Sequence, residues 1–215
     1  MIKGIIFDLD GVLVSTDEMH YLAWKRLADE LGITGFGRED NRRQRGVSRM
    51  ASLEVVLEKS DKIYTEKEKE ELAERKNKYY LELLKDMDNS AVLGGVGAVL
   101  TALKRKNLLL AVGSASKNAP VILQKTGLLP YLNQVSCGLD TTKSKPDPEV
   151  FLIAAEKMGL LPEECLVVED SAAGIEAAAA GGMFSLGVGP FHASLASDYS
   201  ADSLAAVADW EPILA

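Results

Sequence analysis

The chain has 215 residues, 47% of them hydrophobic and 26% charged, enough for a globular protein with a sizeable core in one large domain or two small ones. A formal net charge of -8 gives no global basic field for nucleic acid and would be repelled by an anionic membrane, so neither partner is expected. The two cysteines, Cys137 and Cys165, share no metal-like or CxxC spacing and read as reduced, buried thiols of a cytoplasmic protein.

In chain order, the apolar run at residues 4–7 reads as a buried strand, and it ends in Asp8, Leu9, Asp10 and Gly11. On a strand, positions i and i+2 face the same side, so two like charges are held close and perturb each other. The same carboxylates interrupt what could otherwise pass for a signal peptide. Residues 17 to about 88 contain no convincing strand. DEMHYLAWKRLADELGI is amphipathic, with Leu22, Ala23, Leu27 and Leu31 as the expected apolar face. SRMASLEVVLEKS and TEKEKEELAERKNKYYLELLKDM predict two further helices, and the charge-dense stretch 58–78 predicts a solvated face with i,i+4 pairs.

After residue 90 the rhythm changes. Predicted strands at 108–112, 134–137, 165–168 and 184–188 alternate with helices at 95–106, 117–126, 147–158 and 171–181. Asp147 is the expected cap of the third of these helices, with Pro148 in its first turn, and Ser171 the expected cap of the fourth. Residues 177–197 carry no formal charge, but their glycines and Pro190 indicate a helix end, a strand and a loop, not a membrane span. The expected fold is α/β: a Rossmann-like parallel sheet with an inserted all-helical cap. The core is assigned to residues 1–15 and 91–215 and the cap to 16–90.

Ligands of open parallel sheets bind at the carboxyl ends of the strands. There the chain places Asp8 and Asp10, then Gly113-Ser114-Ala115-Ser116-Lys117-Asn118, then Lys145-Pro146, then Glu169-Asp170-Ser171. Hard carboxylate oxygens suit Mg²⁺. A lysine and hydroxyls beside them suit a phosphate in a phosphoryl-transfer site. Each element alone has a plainer explanation. Asp8-Leu9-Asp10-Gly11 could be a turn, Glu169-Asp170 a helix start, Lys145 an exposed lysine and Ser114 a turn residue. In the insert, His20 and Trp24 could be structural. Arg42, Arg43, Arg45 and Arg49 form a local basic cluster that is either solvated or, with Gly46-Val47-Ser48, a phosphate-friendly loop.

The order DxDGV, a serine after the second strand, KPDP and EDSxAGI is similar to the haloacid dehalogenase superfamily of phosphotransferases over essentially the whole chain. The segments GVSR, RKN and SASKN further resemble its cap-bearing sugar phosphomutases. The resemblance implies that Asp8 is the nucleophile and Asp10 the general acid and base. It implies that Ser114 and Lys145 hold the transferring phosphate, and that Asp8, Asp10 (through a nearby backbone oxygen), Glu169 and Asp170 hold Mg²⁺. Thr16 and His20 would lie at the hinge near Asp10. Trp24, Gly46, Val47, Ser48 and Lys76 would line the sugar side of the cap. Arg49, Ala115, Ser116, Lys117 and Asn118 would meet the sugar or its second phosphate. The further implications are small sugar phosphates as substrates, glucose 1,6-bisphosphate as activator and intermediate, and a monomer. A sugar-phosphate phosphatase is the alternative, and a non-catalytic sugar-phosphate binder a third. Two departures from the superfamily pattern are Ser15, where another Asp is usual, and Gly94-Gly95 in place of Pro-Gly, which should loosen the return from cap to core.

Overall fold

A computed structural model describes all 215 residues. Six strands form one sheet: β1 (Gly4–Phe7), β2 (Leu109–Gly113), β3 (Gln134–Ser136), β4 (Cys165–Glu169), β5 (Phe184–Val188) and β6 (Tyr199–Ala201). Their order is β3-β2-β1-β4-β5-β6, and every neighbouring pair is parallel. The chain therefore winds one way from β1 and then the other, which leaves a crevice at the carboxyl ends of β1 and β4. β1 and β4 are buried along their whole lengths, as strands covered on both faces must be.

Side-chain alternation divides the core into two layers. Ile5, Phe7, Val112 and Val168 belong to one apolar cluster. Ile6, Ala111 and Val167 belong to the other, under α7 (Glu149–Met158) and α8 (Ala172–Ala180). Ser171 caps α8 as expected, its Oγ accepting from the Gly174 N–H. The α7 expectation is off by one residue. Pro148 is the cap and Glu149 the first helical residue, while Asp147 Oδ1 accepts the Glu149 N–H from outside the helix. β6 was not expected, because its three residues carry no apolar run.

Between β1 and β2 the chain forms α1 (Asp17–Glu30), α2 (Arg38–Arg43), α3 (Arg49–Leu57), α4 (Glu66–Leu83) and α5 (Val96–Arg105). α1, α3 and α4 share a separate apolar cluster built on Trp24, Leu27, Leu53, Val56 and Leu72. Each fully buried side chain of this size contributes about 1.5–3 kcal/mol relative to exposure. The buried stripe of α1 is Ala23, Trp24, Leu27 and Ala28. Leu22 is 43% exposed and Leu31 only half-buried, so the expected stripe is displaced. The two alanines let α4 approach where bulkier residues would hold it off. α2 is a fourth short helix that periodicity did not predict. Its first turn is acidic and its last basic, which favours a helix by charge and not by an apolar face.

Two chain crossings join this insert to the sheet. Val14 bridges Val92, and the Leu93 and Ser15 N–H groups donate to Leu13 and Ala91 carbonyls at 3.0 and 2.9 Å. These bonds end at Leu93, just before Gly94-Gly95, and Gly95 caps α5 with φ +81°. No helix is long and apolar enough to cross a membrane, and Cys137 and Cys165 are free and buried.

Candidate active site

The crevice widens into a cavity of about 1050 Å³ between the sheet edge and the helical insert. Asp8 follows β1, and its N–H extends the ladder to the Val168 carbonyl at 2.9 Å. Its side chain is 8% exposed and accepts from Lys145 Nζ at 2.5 Å, while the same ammonium donates to Glu169 at 2.6 Å. The Lys145 side chain is fully buried. Burial lowers its pKa, but the two carboxylates outweigh burial and the net direction is up. Burial pushes Asp8 well above the usual carboxylate range, against the pull of Lys145.

Glu169 lies behind this pair. Its second oxygen accepts from the Asp170 N–H, the Ser171 N–H and the Ser171 hydroxyl. Asp170 stands forward on the cavity wall, its pKa pushed up to about 7 by burial and then by Glu169. Carboxylate oxygens of Asp8, Glu169 and Asp170 lie within 4.8 Å of one another. This all-oxygen set fits a hard divalent cation such as Mg²⁺. The Asp10 carboxylate is outside that set and accepts from the Thr16 hydroxyl. Burial raises the Asp10 pKa, with Thr16 opposing. Gly11 explains the glycine of the motif: its φ is +90°, and a Cβ there would sit 2.1 Å from an Asp170 oxygen.

Ser114, after β2, is 1% exposed and accepts the Ser116 N–H at 3.1 Å. Ser116 in turn accepts the Asn118 N–H at 3.2 Å. Ala115 and Lys117 complete that wall. From the insert, Gly46, Val47 and Ser48 face the cavity, and Ser48 caps α3 by accepting the Ala51 N–H. Gly46 rests on the sheet edge; with φ +72°, its added Cβ would meet the Ser171 Oγ at 2.4 Å. Asn77 on α4 closes the far side, accepting from the Asn118 amide at 2.9 Å.

His20, on α1, sits 3.0 Å from Lys76 Nζ through Nδ1, and its ring lies tilted against Tyr80 with the ring centroids 4.2 Å apart. Burial, then Lys76 and Arg49, hold His20 well below the usual imidazole range. That direction favours the neutral ring, and a neutral ring can accept from Lys76 at Nδ1. Lys76 Nζ also lies 4.6 Å from the Trp24 ring centroid, and Trp24 is 1% exposed. Trp24 thus serves the core of the insert while touching the cavity wall.

Burial, then Arg49, push Lys76 down to about 7, against Asp10. Between that value and the ordinary 10.5, the unfolded chain holds a proton that the folded protein has released. Stability therefore rises with pH across this window. Lys76→Met is expected to flatten that rise, and melting temperatures from pH 6.5 to 10 measure it; an unchanged slope would place the rise elsewhere.

The cavity wall contains every site residue expected from the sequence except Glu169. The arginine cluster is not a free basic patch. Arg42 pairs with Glu39 at 2.8 Å, Arg43 with Glu58 at 2.7 Å, Arg45 with Asp17 at 3.4 Å and Arg49 with Glu74 at 2.6 Å. Only Arg45 and Arg49 of the four reach the cavity. Sequence reasoning missed Glu74 and Tyr80. Tyr80 has a fully buried hydroxyl with no hydrogen-bond partner, and its i+4 spacing from Lys76 on one helix was the available signal.

The haloacid dehalogenase-like hydrolase family model matches residues 2–182. The chain is 39% identical to β-phosphoglucomutase of Bacillus subtilis (strain 168), over 91% of its own length and 87% of the relative's. It is 30% identical to a phosphorylated carbohydrates phosphatase of Thermotoga maritima, over 84% and 82%. A crystal structure of β-phosphoglucomutase from Clostridium difficile superposes with a TM-score of 0.92 at 36% identity, covering 99% of this chain and 96% of that one.

Proposed function

The chain belongs to the haloacid dehalogenase-like hydrolase family, and from that premise we propose that it is a phosphomutase interconverting β-D-glucose 1-phosphate and β-D-glucose 6-phosphate. Support comes from one cavity lined both by the Asp8–Asp10 pair and by a second donor cluster of Arg49, Ser116, Lys117 and Asn118. A phosphatase needs one phosphate site and water. A mutase that works through glucose 1,6-bisphosphate needs two phosphate sites.

An Asp8 oxygen attacks phosphorus as the bond to the sugar oxygen breaks, and Asp10 gives that oxygen its proton. The raised pKa of Asp10 suits a donor. In the return step Asp10 takes the proton of a sugar hydroxyl. The hydroxyl oxygen attacks the aspartyl phosphate, and the bond to Asp8 breaks. Lys145 and Ser114 place positive charge and a hydroxyl where negative charge gathers. Asp8 and Asp170, with Glu169, would hold Mg²⁺, which when bound offsets the carboxylate charge and that of the phosphate. Residues 16–90 act as a cap that closes on the core of 1–15 and 91–215 and keeps water from the aspartyl phosphate. Thr16 and His20 stand at its hinge, and Trp24, Gly46, Val47, Ser48 and Lys76 line its sugar side. We place the protein in the cytoplasm as a monomer with no nucleic-acid partner.

Phosphorus NMR of the protein with β-glucose 1-phosphate, Mg²⁺ and a trace of glucose 1,6-bisphosphate tests this. Glucose 6-phosphate is the expected product. Inorganic phosphate would indicate the phosphatase alternative, which the Thermotoga relative favours, and no change would exclude both for this substrate. Arg49→Ala is expected to reduce turnover of β-glucose 1-phosphate by about tenfold to a hundredfold, the range for losing a charged hydrogen bond. Hydrolysis of acetyl phosphate, which has no second end, should fall far less; equal losses would argue against a distal-phosphate role.

A further inference from the structure

Arg49 does not meet the cavity as a waiting cation. From the first turn of α3 its guanidinium donates to Glu74 Oε1 on α4 at 2.6 Å. The Arg49 side chain is 16% exposed, whereas that of Glu74 is 64% exposed. Both line the cavity. The other cation of the donor cluster, Lys117, makes no ion pair, and the nearby Lys76 is turned to His20. An anionic ligand that takes the Nη1 edge of Arg49 must therefore displace a carboxylate of the protein itself.

We propose that Glu74 is a specificity and release residue: it trades places with the distal phosphate of the ligand on Arg49, loosening the bound sugar phosphate and recapturing the guanidinium when that phosphate leaves. This deepens the phosphomutase assignment and rests on it. In that cycle the bisphosphate must quit Arg49 so that its two ends can change places. A mostly buried guanidinium left alone would lose its partner and gain little water, a costly state. Glu74 supplies a substitute partner. Because Glu74 is largely solvated, water repays it when phosphate pushes it aside, so the exchange is cheap in both directions. A neutral sugar hydroxyl has no comparable power to displace a carboxylate. Glu74 thus sets how strongly a phosphorylated end is held and leaves the reacting phosphate at Asp8 untouched.

Glu74→Gln keeps the shape and removes the charge. The measurements are calorimetric binding of glucose 6-phosphate in Mg²⁺ buffer, turnover of β-glucose 1-phosphate, and hydrolysis of acetyl phosphate. Glutamine is expected to tighten glucose 6-phosphate binding about two- to fivefold, the scale of a partly exposed ion pair. KM and kcat should fall together as release slows, with acetyl phosphate hydrolysis unchanged. The tightening should vanish in an Arg49→Ala background. Glu74→Ala should behave as the glutamine variant does, since neither retains the competing charge. Binding equal to or weaker than wild type in both variants would show that Glu74 merely props Arg49, and tightening that persists without Arg49 would equally overturn the exchange. If the wild type binds glucose 6-phosphate without isomerising β-glucose 1-phosphate, the phosphomutase assignment fails while the binding comparison still decides the role of Glu74. If it binds no hexose phosphate, both fall.

Discussion

Asp8→Asn is expected to lower turnover by about 10⁴-fold or more and to leave no phosphorylated protein detectable by intact mass after incubation with glucose 1,6-bisphosphate. Losses of this order follow removal of a nucleophile whose partners act as a unit with it. The substitution is close to isosteric, so the effect is chemical. An amide has no anionic oxygen with which to attack phosphorus. The fold should survive, because Lys145 retains its 2.6 Å bond to Glu169 and the site loses one of its buried carboxylates. The amide also avoids the burial cost that raises the Asp8 pKa, so the melting temperature should change little. Turnover retained in the purified variant would remove Asp8 from the nucleophile role. The Asp10→Asn variant gives the contrast: the aspartyl phosphate can still form there from an activated donor, because a good leaving group needs no proton.

The sheet and its loaded edge were legible because they depend on local rules. Short apolar runs ending in Asp8, Ser114 and Glu169 place those residues at strand ends whatever packs around them. The parallel order β3-β2-β1-β4-β5-β6 then brings Asp8 and Glu169 to adjacent strands. The insert was read less well, because its helices are set by one another. In α1 both Leu22 and Trp24 suit an apolar stripe. What settles the choice is α4, which packs against the face bearing Ala23, Leu27 and Ala28. α2, a six-residue helix of charged and amide side chains, carries no apolar period to read. The partners of the arginines were hidden for the same reason. Four arginines in eight residues look like an anion site, but each finds a carboxylate from another turn or helix. Which of them can meet a ligand depends on which carboxylate is free to leave.

Lys145→Met is expected to destabilise the protein by about 3–5 kcal/mol near neutral pH, the cost of stripping one partner from buried ions. For a chain of this size that lowers the melting temperature by roughly 6–20 °C. Lys145 is the one cation bonded to both Asp8 and Glu169, and its charge offsets part of the cost of burying theirs. Without it, Asp8 keeps the burial that raises its pKa and loses the main force that lowers it. A carboxyl whose folded pKa is raised contributes most below its unfolded value, near 4, and loses that contribution as pH climbs through the folded value. The deficit of the variant should therefore be small near pH 4 and grow toward pH 8. Mg²⁺ should recover part of it, because a bound cation replaces some of the missing charge. The shift in melting temperature on adding Mg²⁺ should thus be larger in the variant than in the wild type. Activity should not return with the stability. An ion held by Asp8 and Asp170 offsets the carboxylates, but it does not restore the fixed ammonium against the phosphate oxygens. Melting curves across pH and Mg²⁺ concentration, beside kcat, separate the two roles. A deficit that does not change with pH would mean that the methionine damages packing near Phe151, whose ring lies 4.6 Å from the ammonium, and not the charge balance.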